Sequence, residues 1–284
     1  MIQDFDLHIH TTNSDGELST YEILNLLKEN NIKYFSITDH DSIESINDLK
    51  NIALADMDYL KGVEISSILD DIYKMHILGY NFDENNQSLK DLCNKLKNNR
   101  SKRFLEIVEY VKEEYNLTFN KQDIQNIINN ILIPGRPHLA SLMLKYGYVS
   151  SVPEAFDKYL KGIKTKTSHR EDAKVVIDTI HNAGGVAIWA HPKKVEKKYD
   201  IDLEKLIPRL IEIGLDGIEI CNSLHSLEDY EKYLKVARKY NLITSGGSDY
   251  HGNTVKPKVK LGVVFKESYD YKVDLDNISI IERK

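Results

Sequence analysis

Short apolar runs that end in metal-capable side chains alternate with longer helical patterns along most of this 284-residue chain, and that βα rhythm is the strongest constraint on its fold. The candidate strands are Phe5–His10, Tyr34–Thr38, Tyr59–Ile65, Lys74–Tyr80, Gly185–Ala190, Asp216–Ile220 and Leu242–Ser245. Together they suggest a closed or nearly closed parallel sheet in an α/β protein. Between them, Thr20–Glu29 places Ile23, Leu24 and Leu27 on one face after a Ser19/Thr20 start signal, and Leu203–Ile213 and Leu227–Tyr240 read as similar crossover helices. The rhythm breaks between about Asn85 and His169. There, Arg103–Tyr115, Asp123–Leu132 and Ser151–Leu160 follow one another as helical patterns without a convincing strand, so an inserted helical lobe is expected. The Lys-rich stretch Lys193–Lys198 reads as a solvated loop, and from Lys266 the tail is polar and unassigned.

Composition enters as a set of exclusions. Lys plus Arg number 38 against 44 Asp plus Glu, a formal net charge of −6, which argues against a broadly basic surface for coating nucleic acid and against double-stranded DNA as a partner. Any anionic ligand must therefore be met by a local positive site. The 41% hydrophobic content can fill a core. Cys93 and Cys221 lie far apart with no CxxC pair, which excludes a disulfide framework and a thiolate zinc cluster. The start, MIQDFDLHIH, has neither a basic n-region nor an apolar h-region, and no run approaches the roughly 18 apolar residues of a membrane span. The expectation is a cytoplasmic protein that does not bind membranes, with its oligomeric state open.

The positions of the ten histidines carry the chemistry. In DLHIH, His8 and His10 alternate on a strand and so face one side, a spacing that lets two imidazoles grip one ion. Asp15 follows in the loop. ITDHD presents Asp39 and His40, GVE presents Glu64, and MHILGY carries His76. After the helical stretch, IWAHP presents His191 and GGSDYHG presents Asp249 and His251. Each cluster lies on a candidate strand or at its carboxyl end, the edge where α/β barrels and open α/β sheets build active sites. Scattered structural histidines rarely fall this way. So many donors exceed the three or four protein ligands of one catalytic zinc, which implies two or three ions. The mixed nitrogen and oxygen set suits Mn²⁺, Fe²⁺ or Zn²⁺.

The ordered series HxH, TDHD, GVE, HILGY, AHP and GGSDxHG resembles the polymerase and histidinol phosphatase (PHP) family of metal-dependent phosphoesterases over nearly the whole chain. The resemblance implies a distorted (β/α)7 barrel with an inserted helical domain and a three-metal cluster. The barrel would comprise residues 1–84 and 170–265, the insertion 85–169 and a tail 266–284. Carried over, His8, His10, Glu64 and Asp249 would hold a first ion, Glu64 would bridge to a second held by His76 and His191, and Asp15, His40 and His251 would hold a third. Gly135–Ala140 (GRPHLA) and Tyr159–Lys164 (YLKGIK) look like the stand-alone members that act on nucleoside 3',5'-bisphosphates and trim RNA from the 5' end. By that match Arg136 and Lys164 would grip a substrate phosphate, joined by His138.

The expected activity is hydrolysis of phosphate esters on a nucleotide or short RNA, with a metal-bridging hydroxide attacking phosphorus in line. Three divalent ions against the carboxylates of Asp15, Glu64 and Asp249 would leave about +3 to draw a phosphate. Asp39 is a candidate to orient imidazoles from behind, and His225, just beyond a strand end, to reach the leaving group. No GxSxG elbow competes. A histidinol-phosphate phosphatase shares the cluster and differs in what covers it. A non-catalytic, metal-stabilised RNA-binding module would be expected to have lost ligands, and no metal position is missing here.

Overall fold

The computed structural model describes residues 5–262 apart from 53, 55 and 56, so the tail 266–284 lies outside the described residues. In chain order the elements are β1 (Phe5–Ile9), α1 (Thr20–Glu29), β2 (Tyr34–Ile37), α2 (Glu44–Lys50), β3 (Asp58–Tyr59), β4 (Gly62–Leu69), β5 (Tyr73–Tyr80), α3 (Gln87–Tyr115), α4 (Lys121–Asn130), α5 (Arg136–Lys145) and α6 (Val152–Ala155). A π turn at Phe156–Leu160 follows, then β6 (Glu171–Asp172), α7 (Ala173–Asn182), β7 (Val186–Trp189), α8 (Pro192–Tyr199), a 3-10 turn at Leu203–Lys205, α9 (Ile207–Glu212), β8 (Gly217–Asn222), α10 (Leu227–Tyr240) and β9 (Ile243–Gly247). Among the described residues no helix is long and apolar enough to cross a membrane.

Helix α1 begins where the sequence says it should. The Ser19 side chain accepts from the Glu22 amide and the Glu22 carboxylate returns to Ser19, a reciprocal cap. Its Ile23, Leu24 and Leu27 pack with Ile9, Phe35 and Ile37 in one apolar cluster. A larger cluster around Trp189, Tyr80 and Phe82 fills the space between β4, β5, β7, β8 and helices α7 and α10. Helices α3 to α6 close a third cluster of their own around Phe104, Ile107, Leu139 and Met143. The run of helices between Asn85 and His169 is thus present, with α3 extending 16 residues upstream of the Arg103 expected from periodicity, from Gln87 to Tyr115.

Two sheets carry the strands, one ordered β1-β2-β3 and one ordered β6-β4-β5-β7-β8-β9. They meet at two places: the His10 and Asp249 amides donate to Tyr250 and His8 carbonyls across β1 and the end of β9, and His40 bridges Glu64 beyond the end of β2 and on β4. The sheet is not all parallel. Strand β5 runs antiparallel to both β4 and β7. The reason is local: Asp70 and Asp71 both adopt left-handed backbone (φ 56° and 57°) in a link of three residues, Asp70 to Ile72, and so short a link leaves no room for a crossover. The expected strand Tyr59–Ile65 is also two strands, β3 in the first sheet and β4 in the second. Gly62 sits at that step because a Cβ there would lie 2.1 Å from Ser36 Oγ. The Lys193–Lys198 stretch is not a loop but lies within α8, started by Pro192 at the first helical position.

Strand β9 runs tight between its neighbours, and this is why GG precedes SDYH. A Cβ on Gly246 would come 2.6 Å from Cys221 Cβ, and one on Gly247 would come 2.3 Å from the His8 amide nitrogen. Gly247→Ala must therefore push β9 away from His8. It should destabilise the fold by about 1–3 kcal/mol, the usual cost of overpacking, read as a lower midpoint in denaturant unfolding; an unchanged midpoint would contradict the packing.

Candidate metal centre

The metal-capable residues reach one place by three routes. His10, His40, His191, Asp249 and His251 follow directly on β1, β2, β7 and β9, where the parallel strands end. Glu64 is the third residue of β4 yet lies level with His40, because β4 is staggered against β2. His76 lies within β5, opposite Ser66. Asp15 comes from the loop after β1. That loop is tied down by Asp39, whose carboxylate accepts from the Thr11 amide and hydroxyl and from the Ser14 hydroxyl. Asp39 therefore orients the Asp15 loop, rather than an imidazole as expected, because its oxygens are taken by nearer donors.

Donor atoms fall into three groups, each within 4.8 Å: His8, His10, Glu64 and Asp249; His10, Asp15, His40 and His251; and His40, Glu64 and His76. The divisions differ from those implied by the family resemblance, since His10 joins two groups. His191 reaches the same carboxylate by another path, its Nε2 2.7 Å from Glu64 Oε1, an oxygen also 2.7 Å from His76 Nδ1. The donors are almost wholly buried. Even so, His8 Nε2, both ring nitrogens of His10, Asp15 Oδ1, His40 Nδ1, Glu64 Oε2 and His191 Nδ1 lack a hydrogen-bond partner among the described residues. Buried polar atoms are rarely left so, and here seven belong to residues of one cluster. The residues fit divalent cations of borderline hardness, bound by imidazole and carboxylate.

Electrostatics sort the imidazoles into two kinds. Burial alone would lower His8, but Glu219 and Glu64 outweigh it and hold the ring well above its ordinary pKa; His10 is raised against burial by Asp249 and Glu64. Burial prevails for His76, for His191 (lowered to about 4, with Lys194 adding to it) and for His251 (lowered to about 3, with His10 and Lys256 adding). The carboxylates of Asp15, Glu64 and Asp249 stay well below their usual range: burial would raise them, but the imidazoles, and for Asp249 chiefly Lys194 and Lys256, more than offset it. Lys194 and Lys256 both donate to Asp249 Oδ2 (2.8 and 2.7 Å), which leaves Oδ1 toward His8 and His10.

A cavity of about 290 Å³ opens beside the centre, with Asp15, His40 and His251 on one wall and Pro137, Val152 and Phe156 of the helical segment on the other. Arg136 starts α5, donates to the Leu160 carbonyl and lies 5.8 Å from the Phe156 ring centre. It belongs to a group of guanidinia. Burial and then Arg136, Arg100 and Arg170 lower Arg103 to about 10, and burial followed by Arg100 does the same to Arg170. Arg100 is balanced by Asp41 at 2.6 Å, while the acid nearest in effect to Arg103, Glu106, is occupied by Lys166 and Thr167 amides. His138 uses Nδ1 to accept from the Gly135 amide and is close enough to feel Asp15. Lys164 is exposed and makes no polar contact among the described residues. His225 is buried beneath α10 against Tyr233, its Nδ1 bonded to the Ile220 carbonyl, outside the three donor groups.

Sequence reasoning missed Glu219, Lys194, Lys256 and the arginines other than Arg136. Only Arg100 and Arg103, spaced to share a face of α3, left a local signal.

Comparison with known proteins bears on the family and the fold. The model of the PHP domain matches residues 6–181. A 5'-3' exoribonuclease of Haemophilus influenzae is 31% identical over 88% of this chain and 91% of its own. A phosphoribosyl 1,2-cyclic phosphate 1,2-diphosphodiesterase of Eggerthella lenta is 26% identical (87% and 94%), and a 3',5'-nucleoside bisphosphate phosphatase of Chromobacterium violaceum 28% identical (87% and 87%). A crystal structure from Bifidobacterium adolescentis superposes with a TM-score of 0.79 at 24% identity, covering 93% of both chains, a likeness of fold.

Glu219 and Glu64 raise the proton affinity of His8, and Asp249 and Glu64 that of His10, so an incoming cation competes with protons at both rings. Titration calorimetry of Mn²⁺ in buffers of different ionisation enthalpy should show net proton release, and affinity should rise with pH. Binding without proton release would refute the charge assignment.

Proposed function

The chain belongs to the PHP domain family, and we propose that this metal-dependent phosphoesterase acts on nucleoside 3',5'-bisphosphates and the 5' ends of short RNA. The observation that carries the reading is the juxtaposition of the orphaned donor atoms with the guanidinium group around Arg136, which gives one place for the reacting phosphate and another for a second. Relatives at similar identity bear three different substrate names, so identity does not choose among them. The chemistry of the cleft supports the bisphosphate reading.

Three ion positions are the assignment we favour: His8, His10, Glu64 and Asp249; Glu64, His76 and His191; and Asp15, His40 and His251. Mn²⁺, Fe²⁺ or Zn²⁺ there would supply Lewis acidity toward phosphate oxygens and lower the pKa of water. The protein's own residues do the rest. Glu64 offers Oε1 and Oε2 to opposite sides of the cluster. Lys194 and Lys256 fix Asp249 with one oxygen inward. Arg136 and Arg103, with no carboxylate hydrogen-bonded to them among the described residues, can bind a phosphate dianion without first breaking an ion pair. Phe156 and Val152 give an apolar wall for a base. The same pocket would take the next phosphodiester of an RNA. We read the two sheets, joined through β1 and β9 and through His40 and Glu64, as the distorted (β/α)7 barrel, with residues 85–169 as an inserted domain covering the metal face.

With Mn²⁺ added, adenosine 3',5'-bisphosphate and 5'-phosphorylated oligoribonucleotides should outpace adenosine 5'-monophosphate, histidinol phosphate and a ribose cyclic phosphate. Arg136→Ala should raise KM for the bisphosphate by about 10–100-fold, the loss of one charged hydrogen bond, and leave KM for a simple phosphomonoester nearly unchanged. Equal effects on both substrates would overturn the second-phosphate assignment; preference for histidinol phosphate would overturn the substrate class.

A further inference from the structure

Glu219 on β8 is a fully buried carboxylate that the proposed chemistry does not use. A carboxylate in that position must satisfy its oxygens from within the protein. Two of its three donors belong to site residues. His8 Nδ1 donates to Oε1 at 2.8 Å, and the backbone amide of His191 donates to Oε2 at 2.6 Å; the third is Asn222 Nδ2, 3.1 Å from Oε2.

Each contact constrains a different donor. With Nδ1 committed to Glu219, the nitrogen His8 turns inward is Nε2, 3.3 Å from Glu64 Oε2 and 3.6 Å from Asp249 Oδ1. His191 holds a left-handed backbone (φ 32°, ψ 61°), uncommon for histidine, as the residue that caps α8. Its amide bond to Glu219 anchors that turn, and the ring then reaches Glu64 Oε1. One rigid carboxylate thus sets two histidines that approach Glu64 from different sides.

We propose that Glu219 is a positioning residue that couples the two ion positions sharing Glu64, holding His8 for one and His191 for the other. Asp15, His40 and His251 make no contact with it, so the third position is independent of Glu219. The inference rests on the metal-centre assignment above.

The test is Mn²⁺ binding to the metal-free full chain, by equilibrium dialysis with metal analysis, for the wild type and Glu219→Gln. A glutamine keeps the shape but offers one acceptor oxygen where two are needed. Two of the Mn²⁺ positions should weaken together, by about 10–100-fold, while one keeps its affinity, and phosphatase turnover should recover as Mn²⁺ is raised. A purely structural defect would weaken every position and would not be rescued by metal. An unchanged isotherm, or weakening of a single position, overturns the inference. Should Glu219→Gln fail to fold, Asn222→Ala, which removes only the amide donor to Oε2, decides it: a smaller loss at the same two positions supports the coupling, and none refutes it. Wild-type protein that binds no Mn²⁺ would overturn the metal-centre assignment itself and the inference with it.

Discussion

Glu64 is the side chain on which the centre turns. Five imidazoles, those of His8, His10, His40, His76 and His191, bring a ring nitrogen within 3.3 Å of one or other of its oxygens, and the residue has no exposed surface. An isolated buried carboxylate is among the most unfavourable groups a fold can contain. This one is tolerated because strands from both sheets deliver positive or polarisable partners around it. The stagger that sets Glu64 beside His40, the hairpin that lays His76 over β4, and the close passage of β9 under His8 are separate solutions to one electrostatic demand.

The demand spreads outward through carboxylates that hold the donors. Asp39 ties the loop that carries Asp15, Glu219 ties His8 and His191, and Lys194 and Lys256 pull one oxygen of Asp249 away from the cluster. Each of these has its hydrogen bonds filled, whereas His8 Nε2 and Asp15 Oδ1, two of the inward atoms they present, do not. The contrast between a satisfied outer layer and an orphaned inner one marks where a ligand belongs.

Most of the inner layer was legible in the sequence, because strand ends can be read from apolar runs, and HxH, TDHD, AHP and SDxH stand at them. The outer layer was not, since its members act through neighbours in the sheet. Glu219 looks like any acidic residue in an apolar run until β8 is known to lie between β7 and β9. Lys194 read as part of a solvated stretch because its partner is 55 residues away. The antiparallel β5 was not legible because it depends on the left-handed backbone of Asp70 and Asp71, which a strand pattern does not reveal. Charge composition misled in a similar way: a net −6 conceals a set of guanidinia gathered from α3, α5 and the segment before β6.

Those guanidinia and the cluster pose the same physical problem with opposite signs. Burial and neighbouring guanidinia lower the proton affinity of Arg103 and Arg170, and several buried donor atoms of the centre lack a hydrogen-bond partner among the described residues. The polypeptide alone leaves both unrelieved. Cations at the cluster and a phosphorylated ligand reaching the guanidinia would relieve the two together, since the ligand's charge faces the ions on one side and the arginines on the other. Strain of this kind, held in place by a well-packed core, makes the site bind what the chain itself does not contain.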